Sequence, residues 1–275
     1  FLVSEIGKGF IQGMMGDDRV YLKTVPCGKH YLANNTEYNR HTGSSGMDDR
    51  DMREYYLAPY RKLIRDHRLP SIMSAYNAVN GVPVSASKFL IDTIARKTYG
   101  LDGYVTGDCG AIDDMVRGHH FAKSNEEATA LGLHAGVDND CGGVYQGHAL
   151  RALEQGLLTQ GAIDRALVNI FTIRMRMGEF DPPRMVPYAG IKPAVINDPS
   201  HHALALEVAT KTPVLLKNDV VVKTGRRALP VDLKQVGKIA LLGPQADKVE
   251  LGDYSGPVEP ELLISPLRGI REYIK

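Results

Sequence analysis

The feature that most constrains this chain is the run Gly-Tyr-Val-Thr-Gly-Asp-Cys over residues 103–109. Tyr104 and Val105 favour extended backbone, so the run predicts a buried strand, and Gly107 is expected to allow close packing just before the acid. In parallel α/β proteins, residues at the carboxyl ends of strands line the active site. Asp108 is therefore predicted to be a nucleophile, a base, a metal ligand or a helix cap.

Length and composition limit the class of protein. The chain has 275 residues, enough for one large domain or two smaller ones, and 43% of them are hydrophobic. The net charge of +1 comes from scattered residues, which argues against a nucleic-acid or anionic-membrane partner. Apolar runs stay short of the roughly 20 residues that a membrane helix needs. The three cysteines are too few for a disulfide scaffold but allow one pair.

Residues 1–180 alternate between helix-like and strand-like patterns, which predicts a parallel sheet with crossover helices. Strands are expected over residues 20–25, 71–76, 104–108 and 136–138. Helices are expected over residues 2–14, 48–56, 60–66, 87–97, 125–134, 145–155 and 160–177. Four parallel strands cannot close a barrel. Because the chain also begins at Phe1 without Met or a signal-peptide pattern, we predict an internal fragment that is cut at both ends.

Prolines interrupt this alternation. Asp181-Pro182-Pro183 and three later prolines predict a linker over residues 181–200. A second α/β domain is expected over residues 201–275, with a helix over 201–211 and buried strands over 214–218 and 238–243. We found no internal repeat.

Three groups of polar residues are candidates for ligand binding. Lys29 and His30 follow a predicted strand, where they form either a surface pair or hydrogen-bond donors for sugar hydroxyls or a phosphate. The polar segment 34–41 is either a solvated loop or a loop over the pocket, in which Glu37 and Arg40 bind a polyhydroxylated ligand. Tyr76 ends another predicted strand, and its alternative role is core packing.

Other familiar site patterns are not found. Asp113-Asp114 and His119-His120 raise the question of a metal site, but they lack the usual ligand spacing. The sequence also contains neither a glycine-rich phosphate loop nor a GxSxG elbow. We therefore predict no metal and no cofactor.

Six motifs together resemble family 3 of the glycoside hydrolases. They are Lys29-His30, the Ser-Ala-Tyr-Asn segment from Ser74 with Asn80-Gly81, Thr106–Cys109, Ala135–Gly142, Phe180–Pro183 and Val214–Asn218, in the family's order. The resemblance covers essentially the whole chain and implies a (β/α)8-type barrel followed by an α/β sandwich. It also implies retaining hydrolysis of β-linked sugars, without a cofactor and with an oligosaccharide or glycoside as the substrate.

The resemblance assigns roles to individual residues. Asp108 matches the nucleophile, and Lys29, His30 and Tyr76 match residues around the sugar. Gly107 departs from the family's pattern, which has Ser before this Asp. The family's early sugar-binding Asp and Arg would lie before Phe1, and its acid/base Glu would lie past Lys275. The isolated chain is therefore predicted to have very low activity.

Two cysteines make the resemblance more specific. Asp108-Cys109 and Asp140-Cys141-Gly142 are similar to β-xylosidases of the family more than to typical β-glucosidases. Because the two cysteines follow neighbouring predicted strands, a disulfide between them is permitted, although two separate buried thiols remain the alternative. A bridge would crowd the space in which a hexose carries its CH2OH group, which predicts a pentose preference.

Several alternatives stay open. Within the family they are β-glucosidase and α-L-arabinosidase. A β-N-acetylhexosaminidase is disfavoured because Lys29-His30 continues as Tyr-Leu-Ala-Asn. From other classes, they are a non-catalytic carbohydrate-binding fragment and a lyase or aldolase with Lys29 as a Schiff-base amine. The sequence indicates neither a compartment nor an oligomeric state.

Overall fold

The structure is a computed structural model that describes residues 1–274. Its helices are α1 (Leu2–Met15), α2 (Asp49–Asp51), α3 (Ala58–His67), α4 (Ala111–Arg117), α5 (Asn125–Ala135), α6 (Val144–Glu154), α7 (Gln160–Arg176), α8 (Pro199–Lys211) and α9 (Pro266–Tyr273). Two π-helical segments cover Met52–Tyr56, which continues α2, and Phe89–Thr98. Its strands are β1 (Cys27–Tyr31), β2 (Ser44–Ser45), β3 (Ser71–Ser74), β4 (Ala78–Val79), β5 (Val82–Pro83), β6 (Tyr104–Gly107), β7 (Asn139–Asp140), β8 (Val220–Val221) and β9 (Arg226–Arg227).

The chain forms two compact units, Phe1–Pro193 and the residues from Ala194 onward. The first is built on a four-stranded sheet in the order β1-β3-β6-β7, in which every neighbouring pair is parallel. Parallel neighbours need crossover connections, and the helical segments between the strands supply them. The parallel sheet with crossover helices that the alternating pattern predicted is therefore confirmed, and this sheet is open among the described residues.

The core of this unit lies on the faces of the sheet. Ile72 and Val105, in the two central strands, are fully buried, and so are Ile91 and Ile112 from the crossover segments that cover them. Central strands covered on both faces read as apolar runs, which is why β3 and β6 were evident in the sequence.

Several predicted helices are confirmed together with their local causes. Pro59 lies in the first turn of α3, where its missing N–H has no cost. The Ser124 side chain accepts a hydrogen bond from the Glu127 N–H and caps α5. The Ser87 hydroxyl accepts one from the Leu90 N–H at 3.3 Å and so holds the start of the Phe89–Thr98 segment.

The predicted strand over residues 20–25 is wrong, because its backbone groups are bonded elsewhere. The Asp18 carboxylate accepts the N–H groups of Val20 and Tyr21, each at 2.8 Å. The Leu22 N–H donates to the carbonyl of Arg176, and the Lys23 N–H donates to that of Met15. These N–H groups are therefore not available to pair with a neighbouring strand, and β1 begins only at Cys27.

The predicted strand over residues 136–138 is displaced to Asn139–Asp140. Gly136 has a φ of 102° and ends α5, and the Val137 N–H donates to the carbonyl of Gly132. This is the arrangement that closes many helices with a left-handed glycine. The helix cap therefore uses the residues that looked like the start of a strand.

The proline-rich stretch forms single 3-10 turns at Pro183–Met185, Pro187–Gly190 and Pro193–Val195. The helix expected over residues 201–211 is present as α8, which begins two residues earlier at Pro199 with Asp198 as its cap. The boundaries that we predicted for the barrel, the linker and the second domain remain predictions.

The second unit contains α8, the antiparallel pair β8–β9 and α9. The buried strands predicted over residues 214–218 and 238–243 are wrong. Both segments are unpaired in the described part of the chain, and Leu216 and Leu242 are 91% and 87% exposed. Apolar β-branched sequence indicates a strand only where another strand lies beside it, and none does so in these two places.

Candidate active site

The carboxyl ends of the parallel strands bring the predicted site residues to one edge of the sheet. His30 lies near the end of β1, Tyr76 follows β3, Asp108 follows β6, and Cys141 follows β7. Parallel strands that are neighbours in the sheet end at the same edge, so the topology places these side chains together. Residues that are more than 100 positions apart in the sequence thus form one cluster.

Asp108 lies at the centre of this cluster and is 6% exposed. Its Oδ1 accepts the N–H of Cys109 at 2.8 Å, and its Oδ2 lies 3.1 Å from Nε2 of His30. Among the described residues, no group completes a well-aligned hydrogen bond to Oδ2. The carboxylate is therefore fixed at one oxygen and less restrained at the other.

The His30 ring is partly buried beside this carboxylate. Burial lowers the pKa of His30, and the negative charge of Asp108 opposes that effect without overcoming it. The nearby charge of Lys29, whose own side chain is exposed, lowers the pKa of His30 further. A neutral imidazole both donates and accepts hydrogen bonds, as an uncharged hydroxyl ligand requires.

Tyr76 lies close to Asp108 and is 8% exposed. Its hydroxyl donates to the carbonyl of Cys109 at 3.0 Å. Burial, followed by the charge of Asp108, raises the pKa of Tyr76 to about 12. The phenol thus remains a protonated donor at neutral pH. The low exposure of Tyr76 fits the core packing that the sequence offered, and its role around the sugar stays a prediction.

The polar segment 34–41 reaches this cluster through Arg40. The guanidinium carbon of Arg40 lies 4.7 Å from the centre of the Tyr76 ring, a cation–π distance. Glu37 pairs with Arg40 at 2.8 Å. Arg40 also lines a cavity of about 150 Å³ beneath the segment, together with Asn34 and Asn77. Arg40 therefore contacts Tyr76 directly, whereas Glu37 is linked to the cluster through its ion pair with Arg40.

Cys109 and Cys141 form a disulfide with a Cα–Cα distance of 4.3 Å. The bridge joins the ends of the neighbouring strands β6 and β7, and the Gly110 N–H donates to the carbonyl of Cys141 at 2.7 Å. Of the two states that the sequence left open, the structure therefore contains the disulfide. Cys27, the third cysteine, is free.

Sequence reasoning missed three residues around Tyr76. His41 pairs with Asp114 on α4 at 2.6 Å, and its ring centre lies 4.5 Å from that of Tyr76. Nε2 of His119 lies 2.8 Å from the carbonyl oxygen of Tyr76. The sequence brings Asp114 and His119 to attention only in the question of a metal site. The available signals were the position of His41 next to Arg40 and the start of α4 three residues after Asp108.

Two other kinds of feature are not found in the described part of the chain. Within residues 1–274, no group of three or more His, Cys, Asp or Glu side chains is arranged to hold a metal ion. Over the same residues, none of the helices is both long and apolar enough to span a bilayer.

Comparison with known proteins identifies the family. The sequence profile described as "Glycosyl hydrolase family 3 N terminal domain" matches residues 1–173, and the one described as "Glycosyl hydrolase family 3 C-terminal domain" matches residues 213–275. The chain belongs to glycosyl hydrolase family 3. The resemblance that we inferred from six short motifs is thereby confirmed.

The individual relatives include proteins named as xylosidases. The chain is 35% identical to probable beta-D-xylosidase 7 of Arabidopsis thaliana, over 97% of this chain and 36% of that protein. It is 38% identical to probable exo-1,4-beta-xylosidase xlnD of Neosartorya fischeri, over 86% of this chain and 30% of that protein. The chain thus spans about a third of the length of these curated relatives.

Two solved structures share the fold of this chain. A family 3 exo-beta-xylosidase (XlnD), in complex with a xylobiose aziridine activity-based probe, superimposes with a TM-score of 0.89 and 34% identity, over 98% of this chain and 35% of that one. A β-glucosidase, EmGH1 from Erythrobacter marinus, gives a TM-score of 0.84 and 28% identity, over 97% and 35% of the two chains.

Proposed function

We propose that the protein containing this chain removes terminal β-D-xylosyl units from oligosaccharides or glycosides, with retention of configuration and with Asp108 as the nucleophile. The observation that carries the proposal is the cluster at the sheet edge, in which the buried Asp108 lies 3.1 Å from His30 and the Tyr76 hydroxyl donates to the adjacent Cys109. The xylosidase relatives support the choice of sugar.

In this proposal the reaction has two displacement steps. A carboxylate oxygen of Asp108 bonds to C1 of the sugar while the C1–O bond to the leaving group breaks. An acid protonates the departing oxygen and then, as a base, removes a proton from the water that cleaves the glycosyl-enzyme. We assign this acid/base to the Glu that the family pattern has C-terminal to the position of Lys275.

The surrounding side chains would bind the sugar. Lys29 and neutral His30 would hold ring hydroxyls, and these bonds strengthen as positive charge develops on the ring. The Tyr76 hydroxyl, which stays protonated, keeps Cys109 in place next to the nucleophile. Arg40 and its partner Glu37 would contact the substrate from the polar segment 34–41.

The disulfide supports a pentose in preference to a hexose. Cys109 directly follows Asp108 and is bonded to Cys141, and we propose that the bridge forms the base of the sugar pocket. A hexose would have to fit an additional CH2OH group into this space, and a xylose would not. β-Glucosidase is the second candidate, because the solved β-glucosidase EmGH1 shares the fold and is 28% identical. α-L-Arabinosidase is the third.

Trapping of the covalent intermediate tests the proposal. The protein that contains this chain is incubated with a 2-deoxy-2-fluoro β-xyloside that carries a good leaving group, and labelled peptides are located by mass spectrometry. The label should be on Asp108, and Asp108→Ala should lower kcat on an aryl β-xyloside by at least about 10³-fold. Asp102→Asn, at an exposed aspartate that pairs only loosely with Arg68 at 3.7 Å, is the control and should retain activity.

The competing outcomes are distinct. A label on another residue would contradict the assignment of Asp108. Faster labelling by the matched 2-fluoro glucoside or arabinoside would favour the second or third candidate. Turnover without any covalent label, together with inversion at C1, would overturn the retaining mechanism.

A further inference from the structure

We infer that His41, anchored by Asp114, is a positioning residue that holds Arg40 against Tyr76 beside Asp108, a role that rests on the proposed function of Asp108. His41 contacts all three partners that such a role requires. Its Nδ1 lies 2.6 Å from Oδ2 of Asp114, Nε of Arg40 donates to its Nε2 at 3.3 Å, and its ring packs on Tyr76.

The donor types fix which ring nitrogen carries the proton. The guanidinium of Arg40 has only N–H donors, so Nε2 of His41 must be the acceptor. The proton therefore lies on Nδ1, where it is donated to the carboxylate of Asp114. In such an arrangement, a carboxylate orients a neutral imidazole so that its second nitrogen can accept a hydrogen bond from another group.

Asp114 connects this arrangement to the nucleophile through a short helix. It lies in α4, and the Ala111 N–H at the start of α4 donates to the carbonyl of Asp108 at 2.8 Å. The end of α4 also packs tightly on the segment that carries His41. A Cβ atom at Gly118 would lie 2.0 Å from the carbonyl oxygen of His41, so only glycine fits there.

Tyr76 is then held from several directions. The His41 ring and the Arg40 guanidinium contact its ring, His119 contacts its carbonyl oxygen, and its hydroxyl donates to Cys109. The N–H of that same Cys109 donates to Oδ1 of Asp108. Loss of the His41–Asp114 bond would therefore loosen the groups that orient the nucleophile, although neither residue is assigned a contact with the sugar.

Two pairs of variants separate positioning from mere packing. Asp114→Asn keeps an oxygen that accepts from Nδ1, whereas Asp114→Ala removes it. His41→Asn keeps a donor for Asp114 at the same reach, whereas His41→Phe keeps the ring but removes both hydrogen bonds. We expect Asp114→Ala and His41→Phe to lower kcat on an aryl β-xyloside by at least tenfold with KM within threefold. Asp114→Asn should stay within about threefold of the wild type in kcat. His41→Asn keeps the bond to Asp114 but loses the ring on Tyr76 and the acceptor for Arg40, so it should lower kcat as His41→Phe does.

The chain offers a matched control. His148 on α6 pairs through Nδ1 with Glu126 on α5 at 2.7 Å, which is the same kind of bond away from the cluster. Glu126→Ala and His148→Phe should leave kcat and KM unchanged. All rates are divided by the fraction of Asp108 that the 2-fluoro xyloside labels, so a variant that only lowers the amount of folded protein shows a normal kcat.

Amide hydrogen exchange gives a readout that does not depend on turnover. Asp114→Ala should raise exchange at residues 40–43 and at Tyr76 by at least tenfold, and Asp114→Asn and Glu126→Ala should not. The inference is overturned if the kcat of Asp114→Ala, corrected for the labelled fraction, equals that of the wild type. It is also overturned if Asp114→Asn is as impaired as Asp114→Ala. If the wild type itself shows neither turnover nor label on Asp108, the proposed function fails, and unchanged exchange in Asp114→Ala would also refute the positioning contact.

Discussion

At the residue scale, the two glycines that flank the β6 run have different roles. A Cβ atom at Gly103 would lie 1.7 Å from the carbonyl oxygen of Pro70, so the start of the strand requires glycine. At Gly107 the nearest atom, Cγ1 of Ile112, would lie 3.7 Å away, which is an ordinary contact. The expected close packing before Asp108 is therefore wrong, and the serine of the family's pattern would find room at that Cβ.

The disulfide leads to a prediction at the same scale. Replacement of Cys109 and Cys141 by Ala should raise kcat/KM for an aryl β-glucoside relative to the β-xyloside by about tenfold, since one carbon unit in a pocket is worth roughly that much. The bridge closes a loop of 32 residues, so its loss should also destabilise the protein by about 4 kcal/mol. The ratio of the two substrates cancels any loss of folded protein.

Cys27→Ala is the control for this pair, because Cys27 is the free cysteine and burial raises the pKa of its thiol, which keeps it unreactive. Its ratio of glucoside to xyloside activity should equal that of the wild type. An unchanged ratio in the double alanine variant would refute the proposal that the bridge selects a pentose.

At the scale of elements, the helices followed their local signals more closely than the strands did. Ser124 and Pro59 were assigned to helix starts from sequence, and both are found there. The segment 20–25 has strong β-propensity and still forms no strand, because Asp18 and the ends of α1 and α7 take its N–H groups. A cap involves residues close in sequence, whereas a strand depends on distant partners.

The cap of α5 provides a quantitative test. Ser124→Ala removes the acceptor for the Glu127 N–H and should lower the free energy of unfolding by about 1 kcal/mol. Thr159 occupies the same position before α7, but its side chain makes no capping hydrogen bond, so Thr159→Ala should change stability by less than about 0.5 kcal/mol. Urea unfolding followed by circular dichroism measures both. Equal effects would show that the hydroxyl of Ser124 is not the source of the stability.

At the scale of the whole molecule, a buried ion pair joins the elements of the first unit. Arg96, in the π-helical segment, pairs with Asp138, which is 7% exposed. Asp138 also accepts the Val105 N–H of β6 at 2.8 Å and the Asn169 amide of α7 at 2.9 Å. A crossover segment, a central strand and the last helix of the barrel portion thus meet at one carboxylate.

Removal of that carboxylate should destabilise the first unit strongly. Asp138→Ala leaves Arg96 with little solvent and without its counter-charge, and we expect a loss of about 3–5 kcal/mol in the free energy of unfolding. Asp102→Asn, which breaks an exposed pair, should cost less than about 1 kcal/mol. Replacement of both buried partners by Met and Leu should recover part of the loss; no recovery would mean that packing, and not the unpaired charge, is responsible.

The sequence by itself determined the features that depend on neighbouring residues or on short motifs: the family, the buried strand that ends at Asp108, and the helices with their caps. The tertiary structure alone decided which distant groups meet. It brought His41 to Asp114, closed the bridge between Cys109 and Cys141, and left residues 214–218 without a partner strand. Local hydrogen bonds and backbone preferences act within a few residues and are visible in sequence, whereas pairing between remote segments exists only after the chain has packed.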